Sequence, residues 1–88
     1  MVSPLARKQL DKIRKDQKQK IVDTIRQLES DPIKSRAKVD IKKLVGIKEQ
    51  SDLYRLRVGS YRIIYEISET TIWISEIVKR SSAYKFLL

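Results

Sequence analysis

Residues 53–67 constrain the fold more than any other stretch of the chain. Leu53-Tyr54-Arg55-Leu56-Arg57-Val58 and Tyr61-Arg62-Ile63-Ile64-Tyr65-Glu66-Ile67 are rich in β-branched and aromatic residues with a period of two, and Gly59-Ser60 separates them. Such runs read as strands, and a Gly-Ser pair between them suits a two-residue type II′ turn, whose backbone twist matches that of paired strands. A two-residue turn leaves one register: Val58 opposite Tyr61, Arg57 opposite Arg62, Leu56 opposite Ile63, Arg55 opposite Ile64 and Tyr54 opposite Tyr65. Opposed residues share a face. Tyr54, Leu56, Val58, Tyr61, Ile63, Tyr65 and Ile67 therefore line a side that must be covered, whereas Arg55, Arg57 and Arg62 line the other.

The cover for the apolar side lies upstream. Ser3 supplies a capping hydroxyl and Pro4 a pre-set first helical residue, after which Ala6, Leu10 and Ile13 recur at helical spacing over about three turns. Asp16 with Gln19 has the form of a capping box, and Ile21, Val22, Ile25 and Leu28 make a second apolar stripe that Asp31-Pro32 ends. This pattern predicts an αα-hairpin. One long helix broken near Asp16 is the alternative, because Leu10, Ile13, Gln17 and Ile21 keep phase, but it needs more apolar support.

Residues 31–52 are polar, basic and without clear period; they read as a long loop with a helical turn around Asp40–Leu44. Lys34, Arg36, Lys38, Lys42, Lys43 and Lys48 there offer either phosphate contacts or a solvated face. After a Ser68-Glu69-Thr70 turn comes a third strand, about Thr71 to Lys79, and then a tail from Arg80 to Leu88 with a short helix. The expected fold class is α+β: an N-terminal helical hairpin packed on a small, mainly antiparallel, twisted sheet, ending in a short helical tail, as one domain over residues 1–88.

Composition narrows the chemistry. Twenty Lys plus Arg against eleven Asp plus Glu give +9, and residues 1–44 hold thirteen of the basic residues against six acidic ones. Such an excess points to a polyanion, nucleic acid first, with an anionic membrane surface or an acidic protein next. The chain has no Cys and no His, which removes thiolate zinc sites, Cys or His nucleophile systems and imidazole acid-base catalysis. Neither a metal nor a cofactor is expected. Met-Val-Ser-Pro is not followed by an apolar h-region, and no run of eighteen apolar residues occurs, so a cytoplasmic chain without membrane association is expected.

Arg57 directly opposite Arg62, with Arg55 beside them, is unfavourable in isolation because like charges repel across a strand pair. An anion relieves the repulsion, and guanidinium forks match phosphate oxygens two at a time. Solvated arginines partly balanced by Glu66 and Glu76 are the other reading. Arg80 and Tyr84 stand four apart after the third strand. Strict alternation from Ile72 sends Arg80 to the helix-covered side, so it joins the arginines only if a bulge or the strand end resets the phase. Tyr84 is either a packing aromatic beside Phe86, Leu87 and Leu88 or a functional phenol. Trp73 falls on the open face, where it stacks on a base or packs against the tail or a partner.

The run from Leu53 to Ile67, followed by Lys79-Arg80 and Tyr84, resembles the RelE family of mRNA interferases in the RelE/ParE toxin-antitoxin superfamily. The likeness extends to the Ser3-Pro4 helix start and to Lys43-Leu44-Val45-Gly46. The gyrase-poisoning ParE branch shares the fold and much of the hairpin pattern. The resemblance implies a ribosome-dependent endoribonuclease, kept silent by a RelB-like antitoxin, whose basic face enters the ribosomal A site. There it cuts mRNA by attack of a ribose 2′-hydroxyl on the adjacent phosphate. Carried over by residue type, Arg57, Arg62, Arg80 and Tyr84 become the catalytic set, with Arg55, Lys43 and Lys79 binding substrate. This chain departs from the pattern in having Arg55 and Arg57 where some members have lysines, and Lys79 where many have His. The usual first strand is cut to Met1-Val2, which implies a sheet with fewer strands.

Overall fold

The computed structural model describes residues 1–44, 52–69 and 71–81. Two helices, α1 (Pro4–Asp11) and α2 (Lys15–Gln27), precede four strands, β1 (Asp40–Leu44), β2 (Asp52–Val58), β3 (Tyr61–Ser68) and β4 (Thr71–Lys79). Among the described residues the strands form one sheet in the order β1-β2-β3-β4, with every neighbouring pair antiparallel. The helices lie on one face, and the α+β class expected from the sequence is the one observed.

The helical hairpin forms as its apolar spacing predicts, but its ends differ in detail. Ser3 caps α1: its Oγ accepts from the Ala6 N–H at 3.0 Å and donates to the Ser75 carbonyl at 2.8 Å. With eight residues, α1 makes a little over two turns rather than three. The chain breaks at Lys12–Arg14, not at Asp16, and Arg14 is an N-cap without a side-chain hydrogen bond. The capping box expected from Asp16 and Gln19 is therefore absent. Asp16 already lies in the first turn of α2, where its charge complements the helix dipole, and the Gln19 amide donates to Asp23 one turn on, at 2.9 Å.

The core fills the space between the helices and the sheet. Ala6 from α1, Ile21 from α2 and Leu28 just beyond it pack on Ile41, Tyr54, Leu56, Ile63, Tyr65, Ile74 and Ile77, joined by Val39. Tyr54 and Tyr65 stack across β2 and β3, with ring centroids 5.6 Å apart. The Tyr65 hydroxyl donates to the Pro32 carbonyl at 2.7 Å, which ties the segment after α2 to the sheet, and burial pushes its pKa up.

The hairpin register agrees with the sequence-based one at all five pairs derived from the Gly59-Ser60 turn. Gly59 has φ +57°, while Ser60 is not among the residues of positive φ, the pattern of type II′ rather than I′. The loop assigned to residues 31–52 needs correction, because Asp40–Leu44 is an edge strand, not a helical turn. Ile41 and Leu44 stand three apart and so mimic a helical stripe. In the sheet they serve opposite faces: Ile41 joins the main core, and Leu44 joins Leu53 and Ile64 in a small apolar cluster on the arginine side.

The abbreviated N-terminus is used at the other edge. Val2 makes one parallel bridge to Ile74, the Ile74 N–H donates to the Met1 carbonyl, and the Ser3 N–H donates to the Ile74 carbonyl, both at 2.8 Å. Gln9 of α1 accepts the Ile77 N–H at 2.6 Å. Together these contacts occupy polar groups that the β4 edge would otherwise present to solvent. Among the described residues the N-terminus thus adds one bridge and no full strand, and the fourth strand beside the hairpin and Thr71–Lys79 is β1 at the opposite edge. The expected tail helix, Val45-Gly46, Lys48 and Tyr84 lie outside the described residues.

Candidate active site

Strand parity gathers the predicted arginines. Arg57 and Arg62 are directly opposed across β2 and β3, and Arg55 is two residues along β2 on the same face. From β1, Asp40 stands opposite Arg57 and Lys42 opposite Arg55. These charges lie toward the β2–β3 turn end of this face; buried Ile64 stands opposite Arg55, and Leu53 with Leu44 continues the apolar cluster away from the turn.

Arg80 joins this group through a β-bulge. Ile64 pairs with Glu76 but Tyr65 pairs with Ile74, which leaves Ser75 as the extra residue. The parity of β4 changes there: Ile74 and Ile77 both face the core, so Val78 stands opposite Arg62 and the next position of that parity is Arg80. The bulge is pinned from both sides. Ser75 Oγ donates to the Ile64 carbonyl at 3.0 Å, and Ser3 Oγ donates to the Ser75 carbonyl. Beyond the strand end, the Arg80 N–H donates to the Ser60 carbonyl at 2.8 Å and so holds Arg80 beside the hairpin turn.

Each guanidinium has a distinct environment. Arg62 is only 6% exposed, and its Nη1 donates to the Gly59 and Tyr61 carbonyls, both at 2.9 Å. Burial pulls its pKa down, the like charges of Arg57, Arg55 and Arg80 add to this in that order, and Asp40 opposes them. An arginine starts so high that it stays charged at neutral pH, so the lowering reflects burial and then crowding of positive charge, not loss of it. The Arg55 side chain is 16% exposed; its Nη2 lies 3.1 Å from Asp40 Oδ1, and its Nε is buried with no acceptor. Arg57 is 55% exposed and reaches only to 3.9 Å from Asp40 Oδ2. Arg80 is exposed. One guanidinium is thus fixed by the backbone, two share the Asp40 carboxylate, Arg57 only at the outer limit of an ion pair, and Arg80 is exposed.

The two lysines predicted to bind substrate are not part of this cluster. Lys43 pairs with Tyr54 and Lys79 with Tyr61, so strand parity places both on the helix-covered side, and Lys43 forms an exposed ion pair with Asp52 at 3.5 Å. Tyr84 lies outside the described residues. Sequence reasoning offered Lys42 only as one of six loop cations and passed over Asp40, because it missed β1; with the strand recognised, the antiparallel pairing to β2 delivers both to the arginine face.

A cluster of guanidiniums on a sheet face can bind the non-bridging oxygens of a phosphodiester and neutralise charge that builds on them. It cannot act as a general base. Known proteins with this architecture narrow the reading. Residues 1–84 match the family described as ParE toxin of type II toxin-antitoxin system, parDE. Toxin RelE3 of Methanocaldococcus jannaschii is 41% identical over 49 residues, which are 56% of this chain; the chain spans about half of that relative's length, 52%. A chain of the RelB-RelE antitoxin-toxin complex from Methanococcus jannaschii superposes with a TM-score of 0.76 at 27% identity, covering 98% of this chain and 96% of that one. A chain of the archaeal RelE-RelB complex from Pyrococcus horikoshii OT3 gives the same TM-score of 0.76 at 31% identity, with 90% of each chain covered. The sheet, its helical cover and the sequence match over nearly the whole chain agree: this protein belongs to the ParE toxin family of type II toxin-antitoxin systems and is RelE-like in sequence and fold.

Proposed function

We propose that the protein is a ribosome-dependent endoribonuclease that cuts mRNA in the ribosomal A site and is neutralised by a RelB-like antitoxin. One observation carries the reading: strand register sets Arg57 opposite Arg62 with Arg55 on the same face, and the β4 bulge with the Arg80–Ser60 backbone hydrogen bond brings Arg80 to the same end of the sheet. In the proposed reaction the ribose 2′-oxygen bonds to the adjacent phosphorus and the bond to the 5′-oxygen breaks, leaving a cyclic phosphate and a free 5′-hydroxyl. Arg62 and Arg57 hold the non-bridging oxygens as charge accumulates, an electrostatic contribution that commonly dominates phosphoryl transfer. Arg80 stabilises the departing 5′-oxygen, which takes its proton from solvent water, and Tyr84 either accepts the 2′-hydroxyl proton as the phenolate or, as the phenol, orients the base. Arg55, paired with Asp40 in the free protein, steers the RNA backbone.

A second reading, a topoisomerase inhibitor, is favoured by the name of the matching family. One experiment separates the two. The purified protein is added to a translation extract and mRNA 5′ ends are mapped by primer extension, in parallel with a gyrase supercoiling assay. Cuts within A-site codons support the nuclease; inhibited supercoiling without cuts supports the alternative. Both similar complexes pair RelE with RelB, which supports an antitoxin of that kind for this chain. Co-expression with a neighbouring acidic reading frame tests it, the expected result being co-purification and restored growth.

A further inference from the structure

The arginine face contains its own anion. Asp40 is held on the edge strand β1 directly opposite Arg57, and its two carboxylate oxygens divide between Arg55 Nη2 at 3.1 Å and Arg57 Nη1 at 3.9 Å. Asp40 is also the acidic group that offsets the repulsion around Arg62. A carboxylate shared between two guanidiniums occupies the same fork positions that phosphate oxygens use.

We propose that Asp40 is a resident competitor for phosphate: it holds Arg55 and Arg57 in the free protein, and RNA must displace it to engage them. The proposal rests on the arginine face being the phosphate site. Asp40 acts only through Arg55 and Arg57, so its displacement is read directly in the affinity for RNA. The pair geometry supports displacement over permanent attachment. Asp40 is half exposed, and its contact with Arg57 is at the outer limit of an ion pair. Partly exposed pairs of this kind are weakly held, so a doubly hydrogen-bonded phosphate can replace them. While the pair lasts, the cluster discriminates against isolated, weakly presented phosphates and admits a backbone held in place by other contacts.

The test uses the full chain and a short single-stranded RNA, with no ribosome, so it does not depend on where or whether mRNA is cut. Asp40→Asn keeps an acceptor for Arg55 while removing the charge. It is expected to tighten binding on the order of two- to fivefold, the range of an exposed ion pair. The plot of log affinity against log salt should steepen by about 0.7, one further phosphate neutralised on a single strand. Asp40→Glu, which restores the charge, should return both values toward the parent. In an Arg55→Gln background the gain from Asp40→Asn should shrink, since the shared partner is gone. Circular dichroism and denaturant midpoints establish that each variant is folded. Unchanged or weaker binding by folded Asp40→Asn, with an unchanged salt slope, overturns the proposal and leaves Asp40 a positioning group. If instead RNA binding behaves as expected and A-site cutting is absent, the competitor stands and the nuclease reading falls.

Discussion

Arg62 serves two demands that a single substitution cannot separate. Its guanidinium is buried against the β2–β3 turn, where it satisfies the Gly59 and Tyr61 carbonyls, and it is also the centre of a cluster of like charges. Arg62→Ala removes both roles. Two hydrogen bonds from a charged donor are lost, and a destabilisation of about 1.5–3 kcal/mol is expected alongside the loss of toxicity, measured by urea unfolding. Arg80 is the cleaner probe, because it is exposed and its hydrogen bond to the Ser60 carbonyl comes from the backbone N–H. Arg80→Ala should therefore unfold within about 0.5 kcal/mol of the parent and still fail to arrest growth. Full arrest by that variant would remove Arg80 from the site. At this scale the sequence was informative about identity and less so about placement. Arg55, Arg57 and Arg62 follow from turn length alone, but Arg80 required the bulge at Ser75, which no local pattern announces. Lys43 and Lys79 were assigned by residue type, and strand parity separates them from the arginines.

At the scale of elements, the β2–β3 turn and the segment after α2 do the positioning. Gly59 has φ +57°, and a Cβ built there would meet nothing within 4 Å, so the requirement is conformational rather than steric. Gly59→Ala is expected to cost about 1–2 kcal/mol for a left-handed L-residue. Because the Gly59 carbonyl accepts from Arg62, the same change should also lower activity. Loss of stability with full activity would show that the turn does not set Arg62. After α2, the Asp31 carboxylate accepts the Ile33 and Lys34 N–H groups at 3.0 and 3.1 Å, and these hydrogen bonds, Lys34 first, hold its pKa below the ordinary 3.8. A group whose pKa is lowered on folding contributes stability above its unfolded value and loses it as pH falls through the folded one. The stability advantage of the parent over Asp31→Ala should thus be constant above about pH 5 and narrow progressively below about pH 4. A gap independent of pH would assign Asp31 no ionic role. Arg36 completes this corner, its guanidinium donating to the Gln27, Asp31 and Lys34 carbonyls. That clamp explains why residues 31–39 escaped a periodic reading: they are ordered by hydrogen bonds from polar side chains, whose pattern carries no fixed period. The hairpin was legible because apolar alternation and a glycine turn record burial directly in the residue order.

For the whole molecule, positive charge is distributed over both sides of the sheet. Thirteen of the twenty basic residues lie in residues 1–44, largely on the helical hairpin, while the arginine cluster is on the opposite sheet face. Charges on the hairpin lie on the other side of the sheet from the arginine face and so have no part in the bond-breaking proposed there. They can still raise the encounter rate with a polyanion, an effect that decays over a Debye length of about 10 Å at 0.1 M salt. Steering and chemistry should therefore separate by mutation. Lys8, Lys12 and Lys15 are exposed on or beside α1 and α2. Replacing all three with Gln should weaken ribosome association roughly tenfold at 50 mM salt and by less than about twofold at 500 mM, with the cut sites unchanged. Arg80→Ala should do the reverse, abolishing cuts while reducing association by no more than the loss of about one phosphate contact. Sedimentation with ribosomes across a salt series, paired with primer extension on the same samples, reads both quantities. If the triple variant shifts the cut positions, or if its defect persists undiminished at high salt, the hairpin is contacting RNA specifically. The division of labour between the two faces would then have to be abandoned.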